Sequence, residues 1–220
     1  MRKQTVLVTG GTSGIGLSIA IYLRHLGHTV YATSRNPERY DLKGLEQTFI
    51  MQNNFKVPKK MLTKIETILS EIKFIKLDIT ANQSIDELVD IIETEADMID
   101  ILINNVGFSS FSSIEEIDFD LVKSMFDTNI VGPIYLIQKV FPKMREKKNG
   151  RLINITSMSS YQALPYMGIY AAIKTHKVIM KKNPKINYQS SRVREAFLNS
   201  LRKIGSTQFF MKILGWYFRS

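Results

Sequence analysis

The 220-residue chain has no cysteine, which excludes disulfides and thiolate metal sites and suits a reducing compartment. Its three histidines, His25, His28 and His176, stand at no metal-ligand spacing, so no metal is expected. No stretch approaches the roughly 20 apolar residues that a membrane span requires. The basic start Met1-Arg2-Lys3-Gln4 runs into a short apolar stretch at 5–9 that ends in glycines. That is too short for a signal-peptide core and reads as a buried strand, so a cytoplasmic protein is the expectation. Internal repeats and low-complexity segments are also missing. Acid is scarce at one end. Residues 1–174 hold 20 Lys/Arg against 19 Asp/Glu, a net of +1, whereas residues 175–220 hold 10 against Glu195 alone, a net of +9. Attraction to an anionic membrane surface would reside in that tail; nucleic acid is not an expected partner.

What is present is an alternation of β-branched runs with helical patterns. The pattern predicts strands over 5–9, 29–33, 74–77, 99–103 and 152–156, and helices over 15–26, 59–72, 84–94 and 121–144. On the first helix Ile15, Ile19, Leu23 and Leu26 share a face. Such alternation implies an α/β fold: a Rossmann-like, doubly wound parallel sheet in three α/β/α layers. At this length one domain over 1–220 is expected, with 1–175 as its core and 176–220 as a basic amphipathic tail. The stretch 36–72 is long for one connection and has room for a helix plus an insertion around Gln52–Pro58.

Thr9-Gly10-Gly11-Thr12-Ser13-Gly14-Ile15-Gly16 lies between the first strand and the first helix. Glycine there permits positive φ and lets a pyrophosphate approach the backbone. The helix start adds free N–H groups and the positive end of the dipole. Many glycine clusters are only turns, but strand, turn and helix stand here in the order that dinucleotide binding requires.

The spacing Thr-Gly-x-x-x-Gly-x-Gly resembles that of the classical short-chain dehydrogenase/reductase family. Further motifs carry the resemblance: Leu77-Asp78-Ile79, Asn104-Asn105-Val106-Gly107, Asn129, Ser157 and Tyr170-Ala171-Ala172-Ile173-Lys174. Val106, where the family has alanine, is a departure. The resemblance covers 4–175 and implies a cofactor site of Thr9, Gly10, Thr12, Ser13, Gly14, Ile15, Gly16, Ser34, Arg35, Asp78, Ile79, Asn105, Val106, Gly107, Tyr170 and Lys174. It implies Asn129, Ser157, Tyr170 and Lys174 as the catalytic group. In that reading Tyr170 exchanges a proton with the substrate while hydride moves to or from the nicotinamide. Lys174 favours the phenolate and holds the nicotinamide ribose, Ser157 bonds the substrate oxygen, and Asn129 holds a water. The second strand ends Ala32-Thr33-Ser34-Arg35-Asn36 without an acid to meet an NAD ribose hydroxyl, and Arg35 suits a 2′-phosphate, which favours NADP(H) over NAD(H). The implied substrate is a small alcohol or carbonyl, lipid-like ones included, and the implied assembly is a homodimer through helices beginning near Ile117 and Tyr170.

Each residue also has an ordinary reading. Tyr170 and Lys174 at i,i+4 are usually a surface helix pair, Ser157 alone a turn residue, Asn129 alone a satisfied polar group, and Arg35 a solvated strand end. Only their joint register behind the phosphate loop points to chemistry. After Lys174 the pattern stops. No buried strand followed by Pro-Gly appears, although Asn183–Tyr188 and the tail resemble the far end of hydroxysteroid- or retinol-dehydrogenase-like members. A deletion near 175–181, truncating the sheet after its fifth strand, is the economical hypothesis. Three functions follow: an NADP(H)-dependent oxidoreductase, a nucleotide-binding pseudoenzyme, or a basic protein that binds membranes or partners through Phe197, Leu201, Ile204, Phe209, Ile213 and Tyr217.

Overall fold

A computed structural model describes residues 2–38, 59–160 and 165–179. The chain runs β1 (Thr5–Thr9), α1 (Gly14–His25), β2 (Thr29–Ser34), α2 (Lys59–Ser70), β3 (Lys73–Lys76), α3 (Asn82–Ala96) and β4 (Ile101–Asn104). It continues through α4 (Phe119–Phe126), a π-helical turn (Asp127–Val131), α5 (Gly132–Glu146), β5 (Arg151–Asn154), a 3-10 turn (Met158–Ser160) and α6 (Gly168–Ile179). The five strands form one parallel sheet in the order β3-β2-β1-β4-β5. Both faces of such a sheet must be covered, which is why the strands read as unbroken apolar runs.

Strand alternation sends side chains to two separate cores. Leu7, Tyr31, Leu102 and Leu152 pack on one face with Ile85, Leu88 and Ile92 of α3 and Leu136 and Val140 of α5. Val6, Val8, Val30, Ala32, Ile101 and Ile103 pack on the other with Leu17, Ile19 and Ala20 of α1 and Leu69 of α2. The three-layer α/β/α architecture expected from the alternation is therefore present.

Several local expectations shift. On α1 the buried side is Leu17, Ile19, Ala20 and Tyr22, while Leu26 caps the helix end and is exposed. The strands expected at 74–77, 99–103 and 152–156 each move by one or two residues, because the register with neighbouring strands decides where pairing stops. The single helix expected over 121–144 is interrupted. Pro133 has no N–H to give the Asn129 carbonyl four residues back, and the Gly132 N–H bonds the Asp127 carbonyl five residues back instead. The insertion at 52–58, the tail and the junction beyond Ile179 lie outside the described residues. Among the described residues no strand lies beyond β5, and no helix is long and apolar enough to cross a membrane.

Candidate functional site

The candidate residues gather where the strands end in their C-terminal direction, the side on which open α/β sheets take ligands. Two loops there are bolted together by Thr9. Its buried hydroxyl accepts from the backbone N–H groups of Asn105 (3.0 Å) and Val106 (3.1 Å) and donates to the Ile103 carbonyl (3.4 Å). The Asn105 amide answers by donating to the carbonyls of Thr9 (3.0 Å) and Gly10 (3.1 Å). The loop after β1 and the loop after β4 thus move as one piece.

Within the first loop Gly10 and Gly14 take positive φ, +65° and +50°. Gly16 sits so close to the preceding turn that a Cβ there would lie 2.1 Å from the Gly10 carbonyl oxygen. Thr12 is buried, while Ser13 is exposed at the helix N-cap without a side-chain capping bond, and Ile15 leans on the core. The first turn of α1 also carries no acid, so no side chain of that turn neutralises its positive end.

At the end of β2, Ser34 accepts from the Asn36 N–H (3.2 Å), and its carbonyl accepts from the Leu77 N–H (2.9 Å). Arg35 projects into solvent. Asp78 follows β3, and its carboxylate accepts from the hydroxyl (2.7 Å) and N–H (2.9 Å) of Thr80. Those bonds, aided by the charges of Arg35 and Lys76, hold Asp78 below the usual carboxylate range. Ile79 beside it is buried.

The four catalytic candidates come from four elements. Asn129 lies in the π-turn and is fully buried; its amide donates to the carbonyls of Met125 (2.8 Å) and Phe108 (3.1 Å). Its side-chain oxygen is buried with no hydrogen-bond partner. A buried acceptor left open is costly, and here it marks a place where a donor is awaited. Lys174 on α6 is 4% exposed, and its Nζ stands 5.3 Å from the ring centroid of Tyr170 one turn earlier. Gly107 ties the group together: a Cβ built there would meet Asn129 Oδ1 at 2.3 Å and Lys174 Nζ at 3.3 Å. The side chains of Asn129 and Lys174 therefore converge on the backbone of the β4 loop.

Ser157 follows β5 and is half-buried; its Oγ accepts from the Ser159 N–H (3.2 Å). Its carbonyl accepts from the Ser160 hydroxyl, and the Ser160 carbonyl accepts from Thr175 Oγ1 (3.4 Å) on α6. So the serine turn is tethered to the helix of Tyr170 and Lys174. Asn154 is a residue not singled out from the sequence. On the β5 strand end its amide oxygen accepts from buried Asn104 (3.0 Å), clamping β4 to β5 just before the two functional loops. The recoverable signal was the register: two asparagines ending neighbouring parallel strands in the same phase. Among the described residues no three His, Cys, Asp or Glu side chains cluster as metal ligands.

The family described as short chain dehydrogenase matches residues 39–195. A 3-ketodihydrosphingosine reductase of Bacteroides thetaiotaomicron is 29% identical over 174 residues, which cover 79% of this chain and 54% of the reductase. An uncharacterized oxidoreductase of Staphylococcus aureus is 32% identical over 176 residues, 79% of this chain and 67% of that one. Among solved structures, an actinorhodin polyketide ketoreductase variant with NADPH superposes with a TM-score of 0.66 at 26% identity, over 81% of this chain and 62% of that one. The chain thus spans about half the length of the sphingosine-type reductase.

Proposed function

The chain belongs to the short-chain dehydrogenase family, and on that premise we propose that it interconverts an alcohol and a carbonyl by hydride exchange with NADP(H), Tyr170 serving as general acid and base. The observation that carries this reading is the convergence of Asn129 and Lys174 on Gly107, with the Tyr170 ring beside the Lys174 ammonium.

The residues present fit a dinucleotide. A Cβ at Gly14 would meet nothing within 4 Å, so the turn has open room, and the α1 start offers uncapped N–H groups to phosphate. When bound, the nicotinamide supplies the hydride or accepts it. Thr9, Gly10, Thr12, Ser13, Ile15 and Gly16 would form the pyrophosphate turn; Asp78, Ile79, Asn105, Val106 and Gly107 would flank the adenosine and ribose. Ser34 and Arg35 would receive the 2′-phosphate that distinguishes NADP, the guanidinium by two parallel N–H bonds. The ammonium of Lys174, held beside the phenol, stabilises the phenolate and eases proton exchange at the Tyr170 hydroxyl. Ser157 Oγ donates to the substrate oxygen, and the open Asn129 oxygen accepts from a water that passes protons toward Lys174. One domain, a homodimer through α4 and α6, and weak contact of the basic tail with anionic membranes complete the proposal.

NADPH fluorescence titration beside turnover on a carbonyl panel tests it. Tyr170→Phe is expected to keep NADPH affinity and to lose turnover by about a hundredfold or more. Equal turnover in the variant would overturn the role of Tyr170. A second reading, nucleotide binding without turnover, rests on the sheet ending at β5 among the described residues, which leaves the substrate side with one wall fewer. Tight NADPH binding with no turnover on any carbonyl favours it.

A further inference from the structure

Large apolar side chains stand in water on the two segments that flank Tyr170. Phe111 is 73% exposed, Ile114 72% and Tyr166 65%. Phe111 and Ile114 belong to the loop after β4, and Tyr166 precedes α6 by two residues. The segments are clasped together: the Ser112 N–H bonds the Tyr166 carbonyl at 3.0 Å, and a Cβ at Gly168 would stand 3.2 Å from Ile114 Cδ1. Ile114 therefore lies over the start of the helix that carries Tyr170 two residues later. Tyr166 is also held at φ +61°, a left-handed conformation that is costly for an aromatic residue and persists only where the surroundings impose it. Three clustered apolar groups, fixed by strain and by a backbone bond, are unlike the scattered single exposures of an ordinary surface.

Charge narrows what they would cover. From Phe108 to Asp118 the loop holds Glu115, Glu116 and Asp118, all exposed, and no lysine or arginine. An anionic substrate would be repelled there, whereas a neutral hydrocarbon would gain by covering the lip.

Resting on the reading of Tyr170 as acid and base, we infer that Phe111, Ile114 and Tyr166 form an apolar lip that selects carbonyl compounds carrying a long, uncharged hydrocarbon tail and discriminates against carboxylates of equal length. Tail methylenes lie against the lip while the carbonyl reaches Tyr170 and Ser157.

The test uses the full chain with NADPH and the methyl ketones from butanone to nonanone, beside a keto acid of nonanone's length. Both kcat/KM and ketone affinity, the latter by saturation-transfer NMR, are expected to rise about two- to fourfold per methylene covered. The keto acid should fall about tenfold below nonanone. In the Phe111→Ser, Ile114→Ser double variant the length dependence flattens while butanone is handled as before; both side chains are exposed, so an unchanged melting curve verifies the fold. Length-independent binding in the natural chain, or preference for the keto acid, overturns the lip whatever the turnover. Length-dependent binding that the double variant abolishes, without turnover on any ketone, upholds the lip and removes the hydride-transfer reading. Turnover without length dependence does the reverse.

Discussion

Gly16 and Asp78 show how single side chains, or their lack, shape the nucleotide end of the site. The Gly10 carbonyl occupies the space that a side chain at position 16 needs, at 2.1 Å from an ideal Cβ. Backbone cannot yield there without dragging the Thr9–Asn105 bolt with it. Gly16→Ala is therefore expected to cost about 1–3 kcal/mol of stability, as overpacking does, and to weaken NADPH binding more than that loss alone explains. Denaturant melts and fluorescence titration read the two effects separately; unchanged affinity would remove the turn from the binding site. Asp78 gives a pH signature. Its bonds from Thr80 lower its folded pKa below the unfolded value. The associated stabilisation is thus present above the unfolded carboxylate range and is lost as pH falls through the folded pKa. Asp78→Asn should lower stability at neutral pH, where the bonded carboxylate contributes fully, and cost little below about pH 4, so that the acid limb of the profile flattens, a comparison made by thermal melts across pH.

Among elements, the sheet is secured at the end opposite the site. Asp100, 7% exposed, accepts from the Thr5 N–H (2.8 Å) and the Asn149 amide (2.7 Å). Its own N–H bonds the Thr5 carbonyl, and its carbonyl accepts from the Arg151 N–H. One aspartate therefore joins the starts of β1, β4 and β5. Asp100→Ala strands a buried N–H and is expected to lower stability by about 3 kcal/mol in denaturant melts while NADPH affinity per folded molecule stays constant. A drop in affinity of the folded fraction would mean that the staple reaches the site. The apolar runs of the strands were plain in the sequence because a parallel sheet buried on both faces leaves no room for polar alternation. The glycine turn was legible from its place between strand and helix, whereas Asn129, Ser157, Tyr170 and Lys174 stood out only through the family resemblance. The Asp100 staple and the Asn104–Asn154 clamp were not, since each joins residues about 50 or more apart whose pairing exists only once strand register is set. The π-turn was not read from the sequence, where 121–144 passed for one helix; Gly132-Pro133 could have signalled a broken ladder, but not that the break would bury Asn129.

At the scale of the whole molecule, the proposed binding and catalytic residues separate along the sheet. The nucleotide turn, the Thr9 bolt and the end of β2 belong to the β1–β4 half, where strands have neighbours on both sides. Ser157 and α6 belong to the β5 side, where among the described residues the sheet ends. Nucleotide binding should therefore be robust even where hydride transfer is slow. A ligand that binds only the folded chain adds RT ln(1 + [L]/Kd), about 2.7 kcal/mol at a hundredfold excess over Kd. In a domain of this size that lifts Tm by roughly 5–10 °C. NADPH is expected to produce such a shift and NADH a smaller one, with Arg35→Ala bringing the two together because only the 2′-phosphate distinguishes them. Tyr170→Phe should leave the NADPH shift intact, since the role proposed for its hydroxyl is toward substrate rather than phosphate. A shift that Arg35→Ala leaves unequal would move the 2′-phosphate to other residues, and no shift with either nucleotide would overturn dinucleotide binding altogether.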